Sequence, residues 1–375
     1  MLPLVQPFMN ELVPYIPGKP IEETEREYGV TNLAKLASNE NCLGPSPKAM
    51  AALQKALPDS HLYPDAGCFY LKEALLSRHA EHAIGNEHLV LGNGTNEIIS
   101  LLVRAFIGPD EALLNAWPSF VCYRLAARSC NIEEKAIPLT SSYAYDLDAM
   151  AAYANSPTGK KVKMVFVGNP NNPTGRYIPK PELDAFIESM PAEVIVIIDE
   201  AYAEYANEPD YPDAMSWVMK RPRTVVTRTF SKAFGLAASR VGYAVCDPAV
   251  ADILNRFRDP FNVNAWGQVA ALAALKDEEH VEKSRVHNTE QLPFIARELA
   301  SLGLKITPSI ANFVLAEIPE GQLSLDDFFK NMIREGIIVR PVANYGFERG
   351  VRISVGTNEE NLRLLDAAKK VLAGN

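Results

Sequence analysis

The chain has 375 residues, 47% hydrophobic and 22% charged, a globular balance that excludes a disordered chain and, at about 150 residues per domain, points to two domains. Its 37 basic and 46 acidic side chains leave a formal net charge of −9, which argues against nucleic acid or an anionic membrane as partner, and apolar runs such as Val194–Ile198 fall far short of the roughly 20 residues of a membrane helix. The five cysteines (Cys42, Cys68, Cys122, Cys130, Cys246) are odd in number and form no Cys-x-x-Cys pair, so no disulfide framework or structural zinc is expected; with no basic n-region in Met1–Asn10, a cytoplasmic protein is.

The first 30 residues are Pro-rich and polar (Pro14, Pro17, Gly18, Pro20, then Glu22–Glu27) and read as an arm. Ser46 caps a helix predicted over Pro47–Leu57, and a second helix runs over Phe69–Ala83. Glu87–Leu91 is a short strand, followed by Gly92-Asn-Gly-Thr95 and a helix over Asn96–Ile107. Ala112–Asn115, Met164–Val167, Val194–Ile198, Thr224–Thr229 and Val241–Val245 are brief β-branched runs, separated in places by helices such as Pro179–Met190. Apolar strands without strict alternation predict burial on both faces, hence a mostly parallel α/β sheet. After about residue 265 the pattern changes. A helical stretch over Ala265–Leu302 is broken near Lys276-Asp277. Lys305–Thr307, Asn312–Ala316, a helix over Leu325–Glu335, Ile337–Arg340, Val351–Val355 and a last helix over Glu359–Leu372 then read as a smaller α+β domain.

Several motifs are set aside. Gly92-Asn-Gly-Thr-Asn-Glu97 lacks the third glycine of a dinucleotide fingerprint, though glycines before a helix N-terminus still suit a phosphate. No phosphate-binding G-x-x-x-x-G-K-[ST] loop, His-Glu-x-x-His or Gly-x-Ser-x-Gly occurs. His79 with His82, and His280 with His287, have charged neighbours and read as solvated surface rather than metal ligands, so no metal is expected.

Three segments lie at the carboxyl ends of predicted parallel strands, where open α/β sheets place ligands. They are Asn169-Pro-Asn-Asn-Pro-Thr-Gly175, Asp199-Glu-Ala-Tyr202 and Thr229-Phe-Ser-Lys-Ala-Phe-Gly-Leu-Ala-Ala-Ser-Arg-Val-Gly242. Each alone has a plain reading: a turn, a helix-capping Asp, an exposed lysine. Together they supply what pyridoxal phosphate requires. A lysine amine condenses with the aldehyde, a carboxylate keeps the pyridine nitrogen protonated, amide and hydroxyl donors reach the ring oxygen, and an arginine with hydroxyls and N–H groups binds the phosphate.

On these segments, and on Tyr15-Ile-Pro-Gly-Lys-Pro20, Leu36-Ala-Ser-Asn-Glu-Asn41, Leu43-Gly-Pro-Ser46, Tyr63-Pro64 and Val351-Arg-Ile-Ser-Val-Gly-Thr-Asn-Glu-Glu360, the chain resembles the fold-type I, aspartate aminotransferase-like enzymes and, within them, the histidinol-phosphate aminotransferases. The resemblance implies an N-terminal arm (1–45) contributing to the small domain and the substrate site, a large pyridoxal-phosphate-binding domain (46–265) on a mostly parallel seven-stranded sheet, and a small α+β domain (266–375). It makes Lys232 the lysine that condenses with the cofactor and also the acid/base. Asp199 becomes the partner of the pyridine nitrogen, and Tyr202 and Asn172 donors to the ring oxygen. Thr229, Ser231 and Arg240 bind the phosphate, helped by the N–H groups of Gly94-Thr95-Asn96. Phe120 stacks on the ring, with Trp117 as the competing candidate. Arg352 grips a substrate α-carboxylate, Tyr15 and Arg340 a substrate phosphate, and Asn39 lies near the substrate. Tyr63 reaches the cofactor of a second subunit, so a homodimer with shared sites is implied.

Cys42, where a proline is usual, Asn96, where an acid is frequent, and Ala238, often Gly, depart from the family pattern without removing a required group. The expected reaction moves an amino group between L-histidinol phosphate and the 2-oxo acid 2-oxoglutarate. An aromatic amino acid aminotransferase, a pyridoxal-phosphate decarboxylase of a phosphorylated amino acid and a non-catalytic pyridoxal-phosphate-binding regulator are the alternatives.

Overall fold

The computed structural model describes residues 4–14, 18–157, 161–321 and 323–374. Its strands in chain order are β1 (Ala34–Lys35), β2 (Leu89–Gly92), β3 (Glu111–Trp117), β4 (Glu133–Pro138), β5 (Lys161–Gly168), β6 (Ile195–Asp199), β7 (Thr224–Thr229), β8 (Gly242–Cys246), β9 (Lys305–Thr307), β10 (Phe313–Glu317), β11 (Ile337–Ile338), β12 (Arg340–Pro341) and β13 (Gly350–Ser354). Seven form one sheet in the order β2-β8-β7-β6-β5-β3-β4. Only β8 runs antiparallel to its neighbours.

Side chains of successive strand residues point to opposite faces. Met164, Phe166, Ile195 and Ile197 accordingly enter one apolar cluster, with Ile98 and Leu102 of the helix Thr95–Phe106. Val165, Val167, Val196 and Ile198 enter another on the opposite face. Both faces are covered, which is why these strands run apolar without alternation over Met164–Val167 and Ile195–Ile198. It is also why their polar groups gather at the carboxyl ends.

The second sheet is antiparallel, in the order β12-β13-β10-β9, and a two-stranded parallel pair joins β1 to β11. Ala34 and Leu36 of the arm enter the apolar core beneath this sheet with Leu299, Phe328 and Ile353. The helical stretch breaks as the sequence predicts, into Ala265–Leu275 and Glu278–Ser301. The first piece sends Ala270, Ala271 and Ala274 into the large-sheet core, whereas Leu292, Ile295 and Leu299 of the second join the small-sheet core. On packing we propose that the large unit extends past residue 265 to the end of the first helix.

The reading of four histidines as solvated surface is corrected. His79 and His280 are buried, and His79 Nε2 lies 2.9 Å from the Tyr243 hydroxyl. His280 Nε2 is 3.0 Å from the Gly44 carbonyl and His287 Nε2 2.8 Å from that of Gly356. Charged sequence neighbours occupy other faces of a helix and say nothing about the face a histidine takes.

Ser46 couples the first core helix to the helix break. Its hydroxyl oxygen accepts from the Ala49 N–H at 3.2 Å, capping the helix Pro47–Ala56, and its O–H donates to Asp277 Oδ2 at 2.6 Å. That bond, reinforced by Lys48, holds the Asp277 carboxyl below its ordinary value. Ser46→Ala should cost about 0.5–2 kcal/mol in urea denaturation at neutral pH. A depressed carboxyl contributes stability above its unfolded value of about 3.9 and loses it as pH falls through the folded value. The gap between parent and Ser46→Ala should therefore narrow in acid; a gap that widens there would contradict the assignment.

Candidate active site

The carboxyl ends of β5, β6 and β7, the arm and β12–β13 enclose a cavity of about 240 Å³. Asp199 ends β6 and is buried. The Tyr123 hydroxyl donates to its Oδ2 at 2.8 Å and the Thr227 hydroxyl to its Oδ1 at 2.9 Å. Burial raises this carboxyl above its ordinary value, and the two hydrogen bonds pull the other way. Among the described residues no cation contributes to that balance. A buried carboxylate without a cationic partner is costly, so the site favours a ligand that brings a cation to it.

Lys232 lies in the loop after β7. Its Nζ donates to the Ser38 carbonyl at 3.2 Å and stands 5.8 Å from the Tyr202 ring centroid. Burial lowers the amine to about 7; the Arg352 guanidinium pushes the same way and Glu40 opposes. The amine is therefore largely neutral just above neutral pH, the form in which it is a nucleophile.

Between them, the Asn39 amide donates to the Tyr202 hydroxyl at 2.9 Å. Asn39 is itself fixed: its N–H donates to Ser354 Oγ at 2.8 Å, and its carbonyl accepts from Asn312 at 3.1 Å. Asn172 Oδ1 accepts from Arg352 Nη1 at 2.6 Å, and Arg352 Nη2 donates to the Ala37 carbonyl at 2.8 Å. The Nε of Arg352 is buried and has no partner among the described residues.

At the other end, Arg240 Nη1 donates to Ser231 Oγ at 3.2 Å, and Thr229 Oγ1 accepts from the Ser231 N–H at 3.1 Å. Thr95 and Asn96 open the helix Thr95–Phe106 against the same cavity. Gly94 precedes them with φ +76°, and a Cβ there would stand 2.4 Å from Arg240 Nη2. Only glycine lets the guanidinium approach this turn. Hydroxyls, a guanidinium and a helix N-terminus facing one point suit a phosphate dianion.

Phe120 lines the cavity, edge-on to Tyr123 at 5.6 Å. Trp117 lies away from it, stacked on Tyr345 at 5.6 Å with Arg124 3.5 Å over its ring. Arg340 and Arg352 both line the cavity and are directly paired across β12 and β13. Tyr63 does not line it; this residue is 83% exposed and stacks on Phe261 at 4.7 Å. Tyr15 lies outside the described residues. Of the departures from the family pattern, Asn96 keeps its place at the helix start, and beside Cys42 the Asn41 amide still donates to the Ala233 carbonyl at 2.8 Å.

The sequence reading missed Tyr123, Thr227 and Tyr345, all beside or in the cavity wall. Tyr123 follows Phe120 by three residues and Thr227 precedes Thr229 by two, periods that put each pair on one face. Tyr345 carries no such signal. The groups present fit pyridoxal 5'-phosphate. Asp199 is a carboxylate in want of a cation, Lys232 an amine of lowered basicity, and the Gly94 turn an anion cradle.

Residues 31–367 match the family Aminotransferase class I and II. The chain belongs to this family. It is 46% identical to a histidinol-phosphate aminotransferase of Anaeromyxobacter sp. over 99% of this chain and 100% of that one. To the histidinol-phosphate aminotransferase of Moorella thermoacetica it is 44% identical, over 96% and 91% of the two chains. Its fold is similar to the histidinol-phosphate aminotransferase of Sinorhizobium meliloti in complex with pyridoxal-5'-phosphate. The TM-score is 0.89 and the identity 25%, with 100% of this chain and 99% of that one covered.

In the cofactor-free protein, labelling of Lys232 by an amine-directed reagent should rise with pH to a half-maximum near about 7, mapped by peptide analysis. Replacing Arg352 by Leu removes a neighbouring positive charge and should move the midpoint upward. A labelling rate still climbing steeply through pH 10 would contradict the lowered basicity.

Proposed function

We propose that the chain is a pyridoxal 5'-phosphate-dependent aminotransferase that exchanges an amino group between L-histidinol phosphate and 2-oxoglutarate, giving imidazole-acetol phosphate and L-glutamate, in histidine biosynthesis. The observation that carries this reading is the cross-strand pair Arg340 and Arg352, both lining the cavity that holds Lys232. Like charges directly opposite on a sheet are unfavourable, and an anionic substrate relieves them. Glutamate brings a carboxylate for Arg352, whose planar fork suits it. Histidinol phosphate has no α-carboxylate and brings a phosphate for Arg340 and Tyr15. The names of relatives 40–46% identical support the same substrate.

When bound, the cofactor supplies an aldehyde that takes up the amino group and a protonated ring that draws electron density from the substrate. The chain's residues do the rest. The Lys232 amine would anchor the cofactor and, once freed, would move a proton between the amine-bearing carbon of the substrate and the cofactor carbon beside it within each half-reaction. Asp199 would hold the proton on the ring nitrogen, with Tyr123 and Thr227 keeping its carboxylate in place. Tyr202 and Asn172 would donate to the ring oxygen, and Phe120 would pack on the ring. Arg240, Ser231, Thr229 and the turn Gly94-Thr95-Asn96 bind the phosphate, and Asn39 orients Tyr202 beside the substrate.

The homodimer is part of the proposal. Tyr63, Phe69, Tyr70, Phe261 and Trp266 are exposed. Gln268 and Arg258 tie their segments together through the Asp65 and Ala66 carbonyls at 2.9 Å. An exposed aromatic patch of this kind marks an interaction surface, and a second subunit lets Tyr63 reach that subunit's cofactor phosphate. Among the described residues no helix is long and apolar enough to cross a membrane. With its cysteines free, we place the protein in the cytoplasm.

The functional test is turnover of histidinol phosphate and phenylalanine side by side, with 2-oxoglutarate as acceptor. Histidinol phosphate should be strongly preferred, and a preference for phenylalanine would overturn the substrate assignment. Arg340→Ala removes a charge-assisted contact of about 1.5–3 kcal/mol, so kcat/KM for histidinol phosphate should fall roughly 10- to 150-fold. It should fall less for glutamate, and Arg352→Ala should show the reverse order.

The shared site has its own test. Tyr63→Phe should impair turnover, and subunits of Lys232→Ala mixed with Tyr63→Phe form hybrids with one intact site. Activity should partly return; no recovery with subunit exchange demonstrated would contradict a site built from two chains.

A further inference from the structure

We propose that His79, Glu81 and His82 form a binding site for a divalent transition-metal ion of the zinc class, outside the cofactor cavity. The helix Phe69–Arg78 ends at His79, and a single 3₁₀ turn, Ala80–His82, folds back so that one ligand atom of each residue lies within 4.8 Å of the others. Two imidazoles and a carboxylate, with a fourth position left to water, make up a donor set that zinc accepts.

The distances favour an ion over a simple pair. Direct charge-assisted hydrogen bonds are about 2.7–2.9 Å long. His82 Nε2 stands 3.3 Å from Glu81 Oε1, and His82 Nδ1 stands 3.6 Å from Asp213 Oδ2. Zinc holds its nitrogen and oxygen ligands at about 2.0–2.2 Å, which sets tetrahedral neighbours about 3.3 Å apart. Glu81 and His82 are already at that spacing. His79 must close by about 1.5 Å from the outer limit of the cluster, a movement within reach of side-chain rotation.

One outer partner of a metal site is in place and a second stands nearby. Ligating imidazoles bond through their second nitrogen to a carboxylate, carbonyl or hydroxyl, which fixes the ring and its tautomer. His79 Nε2 meets the Tyr243 hydroxyl at 2.9 Å, leaving Nδ1 as ligand atom, and Asp213 Oδ2, 3.6 Å from Nδ1 of His82, is placed to close onto it when the ion binds. Both imidazoles are largely buried, while Glu81 is 67% exposed and opens the site to solvent. Arg228, opposite Tyr243 in the neighbouring strand, is already paired with Glu200 at 2.8 Å.

The position gives the ion a structural role. Tyr243 packs against Phe230 with ring centroids 6.0 Å apart, and the Arg78 guanidinium lies 5.5 Å over the Phe234 ring. Phe230 and Phe234 flank Lys232 in its loop. An ion on His79 and His82 would tie the helix end to β8 beneath that loop. The inference needs no assumption about the reaction at the cavity.

The test uses the tag-free, cofactor-loaded protein, dialysed and titrated with zinc ions against a chromophoric chelator, with melting temperature followed in parallel. The parent should bind one equivalent per chain and melt higher with zinc. Glu81→Gln, at the rim, and His82→Ala, with its fold checked by circular dichroism, should bind at least about 10-fold more weakly, and Asp213→Asn about 10- to 100-fold more weakly. His61→Ala, an exposed histidine elsewhere, should bind as the parent does. Binding by His82→Ala equal to the parent's, or no saturable binding by the parent, would overturn the site and leave the cluster an ion pair of His82 with its carboxylates.

Discussion

A buried carboxylate with no cationic partner among the described residues is the constraint on which the site depends. Asp199 stands at the end of a central strand, apolar residues on both faces behind it, its oxygens engaged by two neutral hydroxyls. Burial without a countercharge is the most expensive condition for an ionised group. A ligand that supplies the charge would relieve this cost, and in the proposed function a protonated pyridine nitrogen would do so. The raised carboxyl of Asp199 and the lowered basicity of Lys232 have one cause: burial disfavours the charged form of each.

The second sheet solves a different problem. It presents two guanidiniums on directly opposed residues, Arg340 and Arg352, a pairing a sheet tolerates poorly. Arg352 is steadied by Asn172 from the large unit and by the Ala37 carbonyl from the arm. This end of the cavity is thus assembled from three separate stretches of chain, and the hydrogen bonds of Arg352 hold them together.

How much of this the sequence discloses follows from where each residue sits. The central strands were legible because burial on both faces leaves a continuous apolar run. The edge strand β4 was not: it carries Glu133, Glu134 and Lys135, and among its residues Ile137 alone is buried, the mark of a charged edge. Lys232, Asp199 and Asn172 were readable because strand ends concentrate polar residues in recognisable order. Tyr123 and Thr227 were not, since their role is to touch Asp199, a contact that the packing of separate elements creates. The burial of His79 and the exposure of Tyr63 were hidden for the same reason. Each depends on which surface meets which, and no local spacing encodes that.

The central claim is that the Asp199 charge, rather than its shape, drives the chemistry. Asp199→Asn keeps the size and one accepting oxygen and removes the charge. The direct measurement is single-turnover transamination by this variant with its cofactor content fixed by absorbance. The account predicts retained cofactor and a rate lowered by at least about 100-fold, as for loss of a preorganised charge. A rate within a few-fold of the parent's would contradict it and reduce Asp199 to a structural group at a strand end.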